Sequence, residues 1–161
     1  MIAVRYYIER AGPFVAASAC CVVLYYYRDA LHAASAAKDI DFTGLYSAVF
    51  DWSAIQTGFL FGIFGYVAGK TDGFIQRVKN TTAMRLFIGY TRIAIFLGFI
   101  VTFISIPLMV SGFSLAPEDK WRFPVFMGWT FMSVWAFFSF LRVAYVFGFL
   151  IRPSDQSRVV G

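Results

Sequence analysis

Apolar residues in this chain come in four long runs, at 11–27, 52–69, 86–117 and 123–151, the third broken by charge only at Arg92 and the fourth only at Arg142. A helix that crosses the hydrocarbon core of a bilayer needs about 20 such residues. Each run therefore predicts a transmembrane helix, with spans at about 11–31, 48–69, 86–107 and 123–151. The expected fold is an all-α integral membrane protein in which four transmembrane helices form an antiparallel bundle, a single membrane domain over residues 1–161. The longest hydrophilic stretch, 70–85, is too short to bury a core of its own, so no soluble catalytic or ligand-binding domain is expected.

The punctuation of the runs agrees with these boundaries. Tyr6, Tyr7, the triplet Tyr25 to Tyr27, Trp52 and Trp121 stand at run ends, where amphipathic rings favour the headgroup level. Pro124 suits the first turn of a helix, where a missing N–H costs nothing. Pro107 has two readings: it kinks the third span, or it ends that span near Ile106 and leaves 108–115 as an interfacial or re-entrant segment. Ala17-Ser18-Ala19 and Ala34-Ser35-Ala36 have the form of signal-peptidase sites, and Cys20 the position of a lipoprotein cysteine. Neither fits: the first leaves a short apolar core and an apolar new terminus, the second puts Arg28, Asp29 and His32 before the cut, and Cys20 precedes an apolar run rather than a polar tether. A retained first span is expected.

Composition sharpens the class. Of 161 residues 60% are hydrophobic, 20% aromatic and only 14% charged, against about 25% charged in soluble domains. The charges are also sorted. Arg5, Arg10, Lys70, Arg77, Lys79, Arg85, Arg152 and Arg158 fall on one side of the expected spans with Glu9, Asp72 and Asp155, a net of +5. Arg28, Lys38, Lys120 and Arg122 fall on the other with Asp29, Asp39, Asp41, Asp51, Glu118 and Asp119, a net of −2. Lys and Arg in short loops mark the cytoplasmic side, so both termini are expected inside, in a bacterial inner membrane.

Glycine spacing marks one helical face. Gly58, Gly62, Gly65 and Gly69 recur at intervals of four, three and four and share a face with Ala54. Such faces let membrane helices approach backbone to backbone, within one four-helix unit or between copies. The bulky residues Phe59, Leu60, Phe61, Phe64 and Tyr66 are expected toward lipid or a looser contact.

The two arginines inside spans are the strongest chemical signal, since a charge at membrane depth costs at least about 2.5 kcal/mol. Arg92 lies seven residues beyond Arg85 and Arg142 ten before Arg152, depths of about 10 and 15 Å at the helical rise. With Arg85 they form a candidate site for an anion, a lipid phosphate or a partner's carboxylate, all of which suit a guanidinium fork. The bland alternative is that each side chain snorkels to the headgroups independently. Nine-residue stretches beginning at Arg92 and Arg142 also match at Arg, Ala, Gly and Phe. In neighbouring antiparallel spans this fits poorly with a duplicated pair of helices.

Other clusters read as structural. Arg28 and His32 share a face near Asp51, an arrangement expected of a solvated helix end. Adjacent Cys20 and Cys21 point about 100° apart and suit packing rather than a redox pair. Phe74, Ile75 and Val78 beside Arg77 and Lys79 predict an interfacial turn on anionic lipid rather than nucleic-acid binding. One histidine excludes any histidine pair for metal or charge relay within a chain, and no cofactor site is expected.

These features place an enzyme last, as a lipid-modifying protein holding a phosphate on its arginines. A small oligomeric channel or transporter comes next; its polar lining would come from Gln56, Thr57, Thr91, Thr102, Ser105, Ser111, Thr130, Ser133 and Ser139. The leading expectation is a non-enzymatic, homo-oligomeric membrane subunit whose basic cytoplasmic face binds anionic lipid, a ligand or a soluble partner. Such a subunit serves as anchor, sensor or permeabilising effector of a larger system.

Overall fold

The structure is a computed structural model that describes residues 2–69, 81–115 and 119–151, with side chains from 11 onward up to 148 except at 82 and 83. Among the described residues it is all helical: α1 (Ile2–Tyr26), α2 (Arg28–Ala36), α3 (Phe42–Gly69), α4 (Thr82–Val110) and α5 (Arg122–Ile151). Segments Met84–Val110 of α4 and Arg122–Gly148 of α5 are each long and apolar enough to cross a membrane. Ala11–Tyr26 and Arg28–Ala36 meet that requirement only as one bent pair. α3 has the length, 28 residues, but Asp51, Gln56 and its glycines dilute its apolar character.

The first expected span is not one straight helix. At Tyr27 (φ −93°, ψ 14°) the chain turns, and α2 leaves α1 at 65°. The cause lies at the far side of the bend, where Arg28 and Asp29 end the apolar run while Leu31 finds a packing site on the Phe42 and Tyr46 cluster. His32 stacks near Phe123, with ring centroids 5.5 Å apart. α2 thus folds over the end of the bundle instead of prolonging α1. Lys38, at φ 60°, reverses the chain after α2. Asp41 then caps α3, its Oδ1 accepting the Gly44 N–H at 2.9 Å.

The helices pack in the spatial order α1, α5, α4, α3, each antiparallel to its neighbour, with α3 on α4 the most extensive contact. Three apolar clusters run down the packed helices α3, α4 and α5. Phe42, Tyr46, Leu108, Phe113 and Trp129 pack at one end, Leu97, Val101 and Ala136 in the middle, and Leu60, Ile63, Met84, Phe87 and Val143 at the other. Lipid removes the hydrophobic incentive for helices to associate, so close packing and hydrogen bonds must hold them. Both are present. Ser53 and Thr102 hydroxyls lie 2.8 Å apart across the α3–α4 contact, and Trp129 Nε1 donates to Ser105 Oγ at 2.9 Å between α5 and α4. Thr57, Thr91 and Ser133 donate to carbonyls four residues back on their own helices, at 2.7 to 2.9 Å, which lets hydroxyls sit in an apolar contact without an orphaned donor.

Pro107 neither ends nor re-routes the third span. α4 continues through it to Val110; Gly112, at φ 58°, then closes the helix, and Phe113 donates its N–H to Leu108 O at 3.1 Å. Leu108, Phe113 and Leu115 are buried in the first cluster. Residues 108–115 are therefore the last turn of α4 and its cap, not a re-entrant segment. Arg122 fastens the following connection, pairing with Asp119 at 2.6 Å and donating to Ser114 O at 3.2 Å.

Candidate functional site

The glycine face of α3 points away from the packed core. Ser53, Gln56, Thr57, Leu60, Ile63 and Val67 are the buried positions of the helix's middle and far half. At about 100° per residue their mean direction is opposite that of Gly58, Gly62, Gly65 and Gly69. All four glycines are exposed, and a Cβ built on any of them meets nothing within 4 Å. Of the two readings of this face, packing inside one chain is the one the geometry does not use. Leu60, expected toward lipid, is fully buried. The glycine that an interhelical contact does require is Gly98 on α4, where an added Cβ would collide with Thr57 Oγ1.

The three candidate arginines separate into two environments. Arg85 and Arg92 are exposed and, seven residues apart, share one face of α4. Arg142 is half-buried, its guanidinium carbon 3.7 Å from the centroid of the Tyr90 ring. Tyr90 and Arg92 lie about 200° apart around α4, so the geometry groups Arg142 with Tyr90 and leaves Arg92 on another side. A guanidinium over an aromatic face is held electrostatically, at about 0.5–2 kcal/mol, which fixes the side chain rather than leaving it to sweep toward water.

Arg142 lines a cavity of about 760 Å³ whose other walls include Gly12, Pro13 and Ala16 of α1, Tyr90 of α4 and Phe138 of α5. A second cavity, of about 620 Å³, is bounded by Ala16 and Cys20 of α1, Val49 and Trp52 of α3, and Phe138 of α5. Ala16 and Phe138 belong to both, so the two form one trench floored by α5, with α1 on one bank. Its width comes from sequence: Gly12, Ala16 and Cys20 recur every four residues on α1 and offer little side chain to fill the gap. Glu9 stands one turn before Pro13 on α1, since that helix begins at Ile2 and not at residue 11.

The remaining sequence clusters are dispersed. Arg28 pairs with adjacent Asp29 at 3.2 Å and lies over Tyr25, not with Asp51, which is exposed. Cys20 and Cys21 are both free, and Cys21 Sγ contacts Met127 O at 3.7 Å. The interfacial turn expected around Phe74, Ile75, Arg77, Val78 and Lys79 lies outside the described residues, as do Lys70 and the side chains of Arg5, Arg10, Arg152 and Arg158. Among the described residues no group of three His, Cys, Asp or Glu side chains is placed to hold a metal ion.

Reading the sequence alone missed Tyr90, Gly98 and the α1 trench. The four-residue spacing of Gly12, Ala16 and Cys20 was an available signal for the last. The pairing of Arg142 with Tyr90 had none, because it depends on which spans are neighbours. The chain matches no protein-family model, and no curated protein or solved structure is significantly similar to it.

Proposed function

We propose that this chain is a non-enzymatic, self-associating integral membrane subunit of a bacterial inner membrane, with four spans and both termini cytoplasmic. Its cation-rich cytoplasmic face engages anionic lipid, an anionic ligand or a soluble partner. In this reading it acts as the anchor, sensor or permeabilising effector of a larger system.

The outward glycine face of α3 carries the proposal. Four glycines opposite the packed side expose helix backbone where a lipid-facing helix ordinarily presents bulk, and a second copy of the same face covers that backbone by close approach. The composition of α3 points the same way. The helix buries Ser53, Gln56 and Thr57 on its packed side and leaves the glycine side open. Ser53, Thr57, Thr91, Thr102, Ser105 and Ser133 spend their hydroxyls on helix contacts or on their own backbones, whereas the hydroxyls of Thr130 and Ser139 are buried without a hydrogen-bond partner among the described residues.

The test is cross-linking in native membranes, with Cys20 and Cys21 first replaced by Ala. Gly62→Cys is expected to oxidise to a dimer, while Ile63→Cys, buried against α4, stays monomeric. Equal monomer in both rejects self-association through α3.

A further inference from the structure

We propose that a water molecule is bound inside the bundle where α3, α4 and α5 meet, bridging Gln56 Oε1 and Ser139 Oγ. The site is enclosed within one chain and lies on the side of α3 opposite its glycines.

Two orphaned groups are the first support. Gln56 is 2% exposed and Ser139 fully buried, so neither reaches lipid, headgroups or bulk water. Gln56 Nε2 donates to Ala136 O at 3.5 Å, long for such a bond. That contact fixes which end of the amide is oxygen, and Oε1 has no hydrogen-bond partner among the described residues. Ser139 Oγ has none either. Ser53, Thr57, Thr91, Thr102 and Ser133 behave differently, each donating to a carbonyl three or four residues back on its own helix, which satisfies a hydroxyl in an apolar contact. An acceptor and a hydroxyl left over in an apolar core require an enclosed partner that both donates and accepts, and water does both.

Placement is the second support. Gln56 Nε2 meets Ala136 O of α5 and lies 3.6 Å from a Cβ built on Gly98 of α4, so the amide stands at the junction of three helices. Ser139 is three residues beyond Ala136, about 4.5 Å along α5 and about 60° around it. Helical side chains lean toward the N-terminus, which carries the Ser139 hydroxyl back toward the level of Ala136. The bond from Trp129 to Ser105 sets the antiparallel register: Ala136 falls opposite Gly98, and Ser139 within a residue of Ala94. All four are small, which leaves room at the level of the amide. Gln56 Oε1 and Ser139 Oγ supply two of the two to four partners an internal water takes, and Ala136 O, with two lone pairs, supplies a third. Such a water ties α5 to α3, which touch little directly.

The experiment is water-edited solid-state NMR on the isotopically labelled full chain in phosphatidylcholine liposomes, which reads polarisation passing from water protons to individual side chains. At short mixing times the Gln56 amide and Ser139 Cβ are expected to receive polarisation, while the methyl groups of buried Val101 do not. Ser139→Ala is expected to abolish the transfer to Gln56 with the backbone spectrum otherwise unchanged. Ser133→Ala, whose hydroxyl is spent on Trp129 O, is expected to leave it intact. The unsubstituted chain decides the matter even where a variant fails to fold: Gln56 and Ser139 as dry as Val101 overturns the proposal. Transfer to Gln56 that persists in Ser139→Ala overturns the bridge, and so does a direct hydrogen bond between the two side chains, seen as a shift of the Gln56 Cδ resonance in Ser139→Ala without contact to water in the unsubstituted chain.

Discussion

Thr57 Oγ1 occupies the space that a methyl group on Gly98 would need. The same hydroxyl donates to Ser53 O at 2.7 Å, and Ser53 in turn meets Thr102, so the close approach of α3 and α4 rests on an absent Cβ beside a chain of small polar groups. Gly98→Ala is expected to push the helices apart and lower stability by about 1–3 kcal/mol. Gly89→Ala, exposed on α4 with open space around it, gains helix propensity and is expected to be neutral or slightly stabilising. Thermal unfolding of both variants in detergent checks the contrast; equal effects would mean that the α3–α4 contact lies elsewhere.

The indole of Trp129 joins α5 to α4 by a hydrogen bond to Ser105. Both residues are buried, so Ser105→Ala leaves an indole N–H without its acceptor in an apolar setting. The expected loss is about 1–3 kcal/mol, with a shift in tryptophan emission as the ring relaxes. Ser111→Ala, at an exposed turn, is the control and is expected to cost under about 0.5 kcal/mol.

How much of this was legible in the sequence divides by physical kind. Helix class and membrane residence follow from run length and charge scarcity, which are one-dimensional quantities, and α4 and α5 carry them plainly. The bend at Tyr27 was hidden, because nothing at that position breaks a helix; Leu31 and His32 draw the chain aside through contacts with distant residues. The glycine face of α3 was legible as a face but not as an outward one. Which side of a helix is buried depends on its neighbours, and Ser53, Gln56 and Thr57, polar residues in an apolar run, mark the inward side better than the glycines do. The arginines were legible as unusual, yet their grouping required knowing that α5 lies against α4 at Tyr90.

The proposed orientation rests on the Lys and Arg asymmetry, and two exposed positions at opposite ends of the bundle now test it. Asp39 follows α2, and Arg85 lies in the first turn of α4. In intact cells of a Cys20, Cys21 replaced background, Asp39→Cys is expected to react with an impermeant maleimide added outside, and Arg85→Cys only after permeabilisation. The reverse pattern inverts the molecule.

Placing Arg92 and Arg142 in one site predicts that losing either is as damaging as losing both. Their grouping in the structure predicts otherwise. Arg142 rests on Tyr90, while Arg92 is exposed about 200° around the helix from that ring. Stability losses from Arg92→Gln and Arg142→Gln are therefore expected to add within about 0.5 kcal/mol, as independent positions do. Tyr90→Leu and Arg142→Gln are expected to couple, by about 0.5–2 kcal/mol, because each removes the same cation–ring contact. Arg92→Lys should be silent, since an ammonium on a flexible stem reaches the headgroups as a guanidinium does. Arg142→Lys should lose part of the contact with Tyr90, because a compact ammonium does not stack as a planar guanidinium does. Two double-mutant cycles in the same detergent, one across each pair, decide the matter: coupling between the arginines and additivity between Arg142 and Tyr90 would restore the shared site and remove the ring from the account.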